Sequence, residues 1–321
     1  MEFILPPWAF ALLPAPFLLA ALFWGAPVIA LVSELVGMVT KKPFPIRVGQ
    51  HGSRLAVLGH ALFWILVAGV AAWQWPAPWA SDFAQANQLA LLLTFAVPML
   101  GSLFLTAYDL TWKGSKERRA MHFLLGALAC LTIKYGYWGL AILALLGFRG
   151  IPLDTPAFIP TASSALWPLF ALWMPLSLSL AAGLGLCYLV ARRSKDDWGR
   201  DYYRFAAPFL AKWHILTGLC ALGLLVWLGL GLTTTMNLFL PQILYSGVAS
   251  VVCLVLGMGM STMISVGDNP MRMKVAMLGV TVLNYLHVGL LLVAACEILT
   301  HYIPGWNLPT FVPALLQLAR G

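Results

Sequence analysis

Apolar residues run along this chain in eight long stretches, near residues 12–38, 55–74, 88–108, 121–147, 164–191, 206–231, 241–265 and 275–300. Each is long enough, at about 1.5 Å per residue, to cross roughly 30 Å of hydrocarbon. None alternates apolar and polar residues with a period of two, as a barrel strand does. A segment in lipid must satisfy its own backbone N–H and C=O groups, so the stretches predict helices. The expected fold is all-α: a polytopic integral membrane protein of about eight transmembrane helices, forming a single membrane domain over residues 1–321. Its two quartets, approximately 1–150 and 151–321, have similar layouts. Each opens on a long helix, then a basic loop, then a helix with a histidine near that loop.

Composition strengthens this reading. The chain is 61% hydrophobic and 9% charged, with a mean hydropathy of +0.87, outside the range of water-soluble domains. The net charge of +8 raises the question of nucleic acid, but the basic residues are segregated by loop. Lys41, Lys42, Arg47 and Arg54 form one group, and Lys113, Lys116, Arg118 and Arg119 a second. Arg192, Arg193, Lys195, Arg200 and Arg204 form a third, and Arg272 with Lys274 a fourth. The intervening loops carry little beyond Arg149 and Arg320. This positive-inside asymmetry places the four groups inside and both termini outside, in a cell (inner) membrane. It argues against nucleic acid as a partner. Trp8, Trp73, Trp75, Trp79, Tyr302 and Trp306 supply an aromatic belt at the outer ends. Met1–Trp8 has no basic n-region or cleavage site, so the first span is expected to stay.

The longest loops hold about 15 residues, without a phosphate-cradling glycine motif, so any aqueous catalysis belongs to partners. The five cysteines fall inside spans and make no C-x-x-C pair; covalent haem and loop disulfides are not expected. Pro14, Pro16, Pro27, Pro98, Pro168 and Pro175 interrupt spans, which frees carbonyls or reflects the abundance of proline in membrane helices.

Ionisable groups in hydrocarbon are costly and therefore candidates for function. They are Glu34, His60, Asp109, His122, Lys134, His214 and His287, with Glu297 and His301 near the outer surface. His60 and His214 lie at similar depth on different helices. Two such imidazoles clamp a haem iron or hydrogen-bond between helices. His122 stands beside a basic loop, and His287, in Asn284-Tyr285-Leu286-His287, is mid-span. Lys134 is too deep to snorkel easily and requires a partner: a propionate, a quinone carbonyl, a carboxylate, or tyrosine and backbone oxygens. For Glu34 and Asp109, pairing with the basic loops is the simplest reading. In Gly257-Met258-Gly259-Met260, small residues permit close helix approach, and the methionines fill gaps or ligate.

Gly101-Ser102-Leu103-Phe104-Leu105-Thr106-Ala107-Tyr108-Asp109, followed by a short basic loop and a long helix with Trp138, resembles the aromatic–Asp turn in the haem-carrying first subunit of cytochrome bd quinol oxidases. The span from Pro16-Phe17 to Glu34 and the segment Tyr188-Leu189-Val190-Ala191-Arg192 are also similar, so the likeness covers about residues 14–200. It implies two four-helix bundles, association with quinone, and electron transfer through b-type haem. The chain departs from that family where it matters for oxygen chemistry. Pro16 and Trp167-Pro168 stand where the family has haem-ligating histidines, and Val97 falls in its glutamate route. The family's quinol loop shrinks to Leu232-Thr233-Thr234-Thr235-Met236-Asn237.

The function expected from the sequence is a membrane subunit of a respiratory electron-transfer complex. It exchanges electrons between quinone and an outer-side cytochrome or iron–sulfur subunit, beside other membrane subunits in the lipid bilayer. Haem b would use His60, His122, His214 or His287, with His60 and His214 as the expected iron pair. Lys134 would meet a propionate or quinone oxygen. The alternatives are a haem-free anchor or assembly subunit, and a transporter.

Overall fold

The structure is a computed structural model that describes residues 11–74, 88–114, 118–149, 166–196, 198–233 and 236–302. Within these the chain is all-helical. Eight α-helices follow one another: α1 Pro14–Thr40, α2 Pro43–Gln74, α3 Gln88–Leu110, α4 Arg119–Arg149, α5 Leu166–Arg192, α6 Arg200–Leu232, α7 Pro241–Val266 and α8 Lys274–Tyr302. Short 3₁₀ turns at Thr111–Gly114 and Pro270–Arg272 complete the order. Six of the eight (α1, α2, α5, α6, α7 and α8) include described segments long and apolar enough to cross a membrane. Belt residues Trp8, Trp75, Trp79 and Trp306, with Met1–Trp8, Lys116 and Arg320, lie outside the described residues.

The helices form two four-membered rings. In the first, α1 packs on α2, α2 on α3, α3 on α4, and α4 back on α1; in the second, α5, α6, α7 and α8 close in the same way. Two four-helix bundles result. The main seam between them is α1 against α5, and one hydrophobic core runs across it from Phe23, Trp24 and Ile29 to Ala181, Leu186 and Leu210. This seam exists because of small side chains. A Cβ placed on Gly25 would stand 2.4 Å from the Ser177 carbonyl oxygen and 2.7 Å from the Ala181 Cβ. Ala20, Ala21, Ala26 and Ala30 are buried on the same helix. In lipid, where apolar burial drives helix pairing little, such close backbone approach supplies the dispersion contacts. Gly136 plays the same part between α4 and Pro98 of α3.

Two helices begin earlier than hydropathy places the spans. α2 starts at Pro43 and α6 at Arg200, so Arg47, Arg54, Arg200 and Arg204 are helical residues rather than loop residues. Hydropathy marks the end of lipid, whereas helix continues wherever an apolar face finds a partner. On α2 that face is Val48, His51 and Leu55; on α6 it is Tyr202, Tyr203, Ala206, Ala207 and Leu210, all buried. The two extensions meet where the Phe44 ring lies 6.0 Å from that of Phe205 and 6.5 Å from that of Tyr202. α1 stops at Lys41, whose φ of 56° turns the chain back toward α2 while its N–H closes on the Gly37 carbonyl. Because consecutive helices are antiparallel, the basic groups at the α1–α2, α3–α4, α5–α6 and α7–α8 junctions share one end of the molecule, called the basic end below.

Candidate functional site

Near the basic end of the first bundle, α1, α3 and α4 bring together Glu34, Tyr108 and His122, which are 3%, 1% and 2% exposed. The Tyr108 hydroxyl donates to Glu34 Oε2 at 2.7 Å, and the Tyr108 and His122 rings stack with centroids 4.5 Å apart. The Thr111 hydroxyl donates to the Ala107 carbonyl at 2.7 Å. The same hydroxyl oxygen lies 2.9 Å from His122 Nδ1. His122 Nε2 is left facing Glu34 Oε1 at 3.6 Å with no hydrogen bond. The imidazole and the carboxyl group thus face each other across a buried gap that a shared proton would bridge. Glu34 does not pair with the basic loops as the sequence suggested; its partners are Tyr108 and His122. Asp109 likewise accepts from Ser53 at 2.6 Å, and Ser53 accepts Trp112 Nε1–H at 2.8 Å.

Beside this cluster lies one that sequence reasoning missed. His51 falls between the first two predicted spans, yet it is 3% exposed on the helical extension of α2. Its ring stacks on Trp198 at 4.0 Å, its Nδ1 is 2.7 Å from the Tyr202 hydroxyl, and its Nε2 is 3.6 Å from Asp196. Asp196, in the turn after α5, accepts two hydrogen bonds from Arg192 at 2.7 and 2.9 Å, and this guanidinium pulls its carboxyl below the usual carboxylate range. A cavity of about 20 Å³, room for a single water, lies between His51, Tyr188, Tyr202 and the apolar seam. The missed signal was the spacing Phe44, Val48, His51, Leu55, a helical stripe crossing an apparent loop.

The expected histidines fall in separate places. His60, seventeen residues into α2, gives Nε2–H to the Phe23 carbonyl at 3.1 Å, while its Nδ1 meets Ser102 Oγ at 2.8 Å. Ser102 also accepts Trp64 Nε1–H at 2.9 Å, and the His60 ring stacks on Phe23 at 3.6 Å. His214 belongs to the second bundle, where Nε2 meets Asn284 Oδ1 at 3.1 Å and Nδ1 meets Ser261 Oγ at 3.0 Å. Every ring nitrogen of His60 and His214 is engaged, and they share no partner. This donor set does not fit an iron held between them. His287 is one turn from Asn284, and the structure therefore groups it with His214. Its Nδ1 donates to the Ser250 carbonyl at 2.9 Å, which leaves Nε2 buried with a lone pair and no hydrogen bond. Lys134 is half-buried and engaged on α4, twelve residues or about 18 Å along the helix from His122. Among the described residues no three His, Cys, Asp or Glu side chains gather in a way that could hold a metal ion.

Comparison with models of protein families, with curated proteins and with solved structures yields no match.

Proposed function

We propose that this chain is a membrane subunit of a respiratory electron-transfer complex that works at the quinone pool and handles the protons of quinone chemistry, while associated subunits carry the redox centres. One observation carries the reading: the unbridged gap between Glu34 Oε1 and His122 Nε2, tied to Tyr108. Oxidation of a quinol to a quinone releases two electrons and two protons, so a quinone site needs a buried group that takes a proton and passes it on. A carboxylate and a neutral imidazole facing each other do this. The first proton joins them, and charge stays close to neutral in a medium where isolated charge is expensive. These residues lie in the segments that resemble the cytochrome bd subunit. The basic end faces the inside in this reading, as the positive-inside rule requires, and all eight helices cross. Electrons pass to a partner's cytochrome or iron–sulfur centre.

The test is labelling of the full chain in membranes by a photoreactive quinone analogue. Labelled peptides from α1, α3 or α4, competed by unmodified quinone and reduced at least tenfold by Glu34→Gln, are the expected result. Labelling no greater than that of an unrelated membrane protein refutes the proposal. A second reading, a haem-carrying subunit, has the open Nε2 of His287 in its favour. A reduced-minus-oxidised spectrum with stoichiometric b-type haem, lost in His287→Ala, would establish it in place of the first.

A further inference from the structure

A second cleft in the structure takes no part in the proton site. It is a groove of about 390 Å³ between the first turns of α6 and the end of α7, lined by Arg204, Pro208, Phe209, Lys212, Ser265 and Asp268 among others. We infer that this groove binds an anionic phospholipid of the basic-side leaflet, with its phosphodiester between Arg204 and Lys212.

The position follows from helix arithmetic. Trp213–Leu232 is a run of twenty residues without Asp, Glu, Lys or Arg, about 30 Å of helix and the thickness of the hydrocarbon. Lys212 therefore stands at the hydrocarbon border, and Arg200–Ala211 extends roughly 18 Å through the headgroup region. α7 agrees: Ser261, hydrogen-bonded to His214, marks the same level, with Ser265 and Asp268 beyond it.

The chemistry follows from charge. Arg204, Pro208, Lys212 and Leu216 form one stripe at intervals of four, and Arg204 and Lys212 are about 12 Å apart along the axis. Both cations are exposed. Among the described residues neither forms an ion pair or a hydrogen bond, not even with Asp268 in the same groove. Elsewhere at this end arginines are used within the protein: Arg192 and Arg54 on Asp196, and Arg47 over the Trp198 ring at 5.8 Å. Two uncompensated cations at headgroup depth match a lipid phosphate. Asp268 can accept from a hydroxyl on the headgroup, which fits phosphatidylglycerol. Below Lys212 the stripe continues as Leu216 and Leu219, 63% and 53% exposed, an apolar track for the acyl chain.

Native mass spectrometry of the purified full chain, titrated with phosphatidylglycerol, phosphatidylcholine or inorganic phosphate, tests this. The expected result is one tightly retained phosphatidylglycerol that neither of the others displaces. Arg204→Gln with Lys212→Gln should weaken retention roughly thirty-fold, about fivefold for each charge removed. Lys41→Gln with Lys42→Gln removes the same charge at the same end, outside the groove, and should leave retention within about twofold. Equal retention of phosphatidylcholine, displacement by inorganic phosphate, or equal losses in the two double variants overturns the inference. All four residues are exposed, so folding should be unaffected, and a helical circular dichroism spectrum checks that.

Discussion

Substituting Gly25 by alanine adds one methyl group at the seam that holds the bundles together. Its Cβ would lie 2.4 Å from the Ser177 oxygen and 2.7 Å from the Ala181 Cβ, where ordinary carbon contacts are about 3.5 Å. Both obstacles are fixed to the α5 backbone, so no rotamer relieves them, and α1 must move away by about 1 Å. Overpacking of this kind costs about 1–3 kcal/mol, and two rigid obstacles place it near the upper end. Alanine also favours helix over glycine by about 1 kcal/mol, which leaves a net destabilisation of about 2 kcal/mol. Gly223→Ala on α6 isolates the clash, because a Cβ there meets nothing within 4 Å. That variant should be neutral or up to about 1 kcal/mol more stable. The quantity to measure is the difference between the two variants, about 3 kcal/mol, in reversible unfolding in mixed micelles of mild and denaturing detergent. A difference below about 0.5 kcal/mol would refute the claim that direct backbone approach holds the seam.

Tyr108→Phe removes the hydroxyl that donates to Glu34 and should cost about 1–3 kcal/mol in the same assay, the penalty for an acceptor left buried and unpartnered. Glu34→Gln together with Tyr108→Phe should cost less than the sum of the single changes, and additivity within about 0.3 kcal/mol would show that the two do not interact. Ser53→Ala withdraws a partner from both Asp109 and Trp112 and should destabilise by about 1–3 kcal/mol, read as a lower thermal midpoint. Asp196 is depressed by its Arg192 hydrogen bonds, so its stabilising contribution is complete at neutral pH and disappears as pH falls through its lowered folded-state value. Unfolding midpoints of the wild type and Asp196→Asn should therefore differ at pH 7 and converge below about pH 4. A gap that persists at low pH would contradict this.

The fold was legible in the sequence to within a few residues at most helix ends, because lipid imposes a single rule on every apolar stretch. The pairing of α1 with α5 was not legible, since it depends on Gly25 meeting a carbonyl 152 positions later, and a glycine carries no directional signal. The candidate site was half legible. Glu34 and His122 stood out as charges in hydrocarbon, but their meeting depends on which faces α1 and α4 turn to each other. From its place near the end of the first span, Glu34 was expected to pair with the neighbouring basic loop. His51 escaped notice because the stretch around it is polar on average and apolar on one side only. His60 and His214 look equivalent in sequence; their separation into different bundles is a property of the ring order of the helices.

The seam also has a consequence in time. α1 is synthesised before the helix that covers it, and Ser177 follows Gly25 by 152 residues, roughly 8–30 s at translation rates of about 5–20 residues per second. Tyr108 follows Glu34 by 74 residues. Through that interval the Glu34 carboxyl group lacks the hydroxyl that donates to it, although α2 arrives at once to form a hairpin. A nascent chain in this condition needs the insertion machinery to shelter α1 until α3, α4 and α5 have emerged. Shortening that wait or extending it, by recoding the intervening codons, should alter the yield of folded protein without changing a single contact in it.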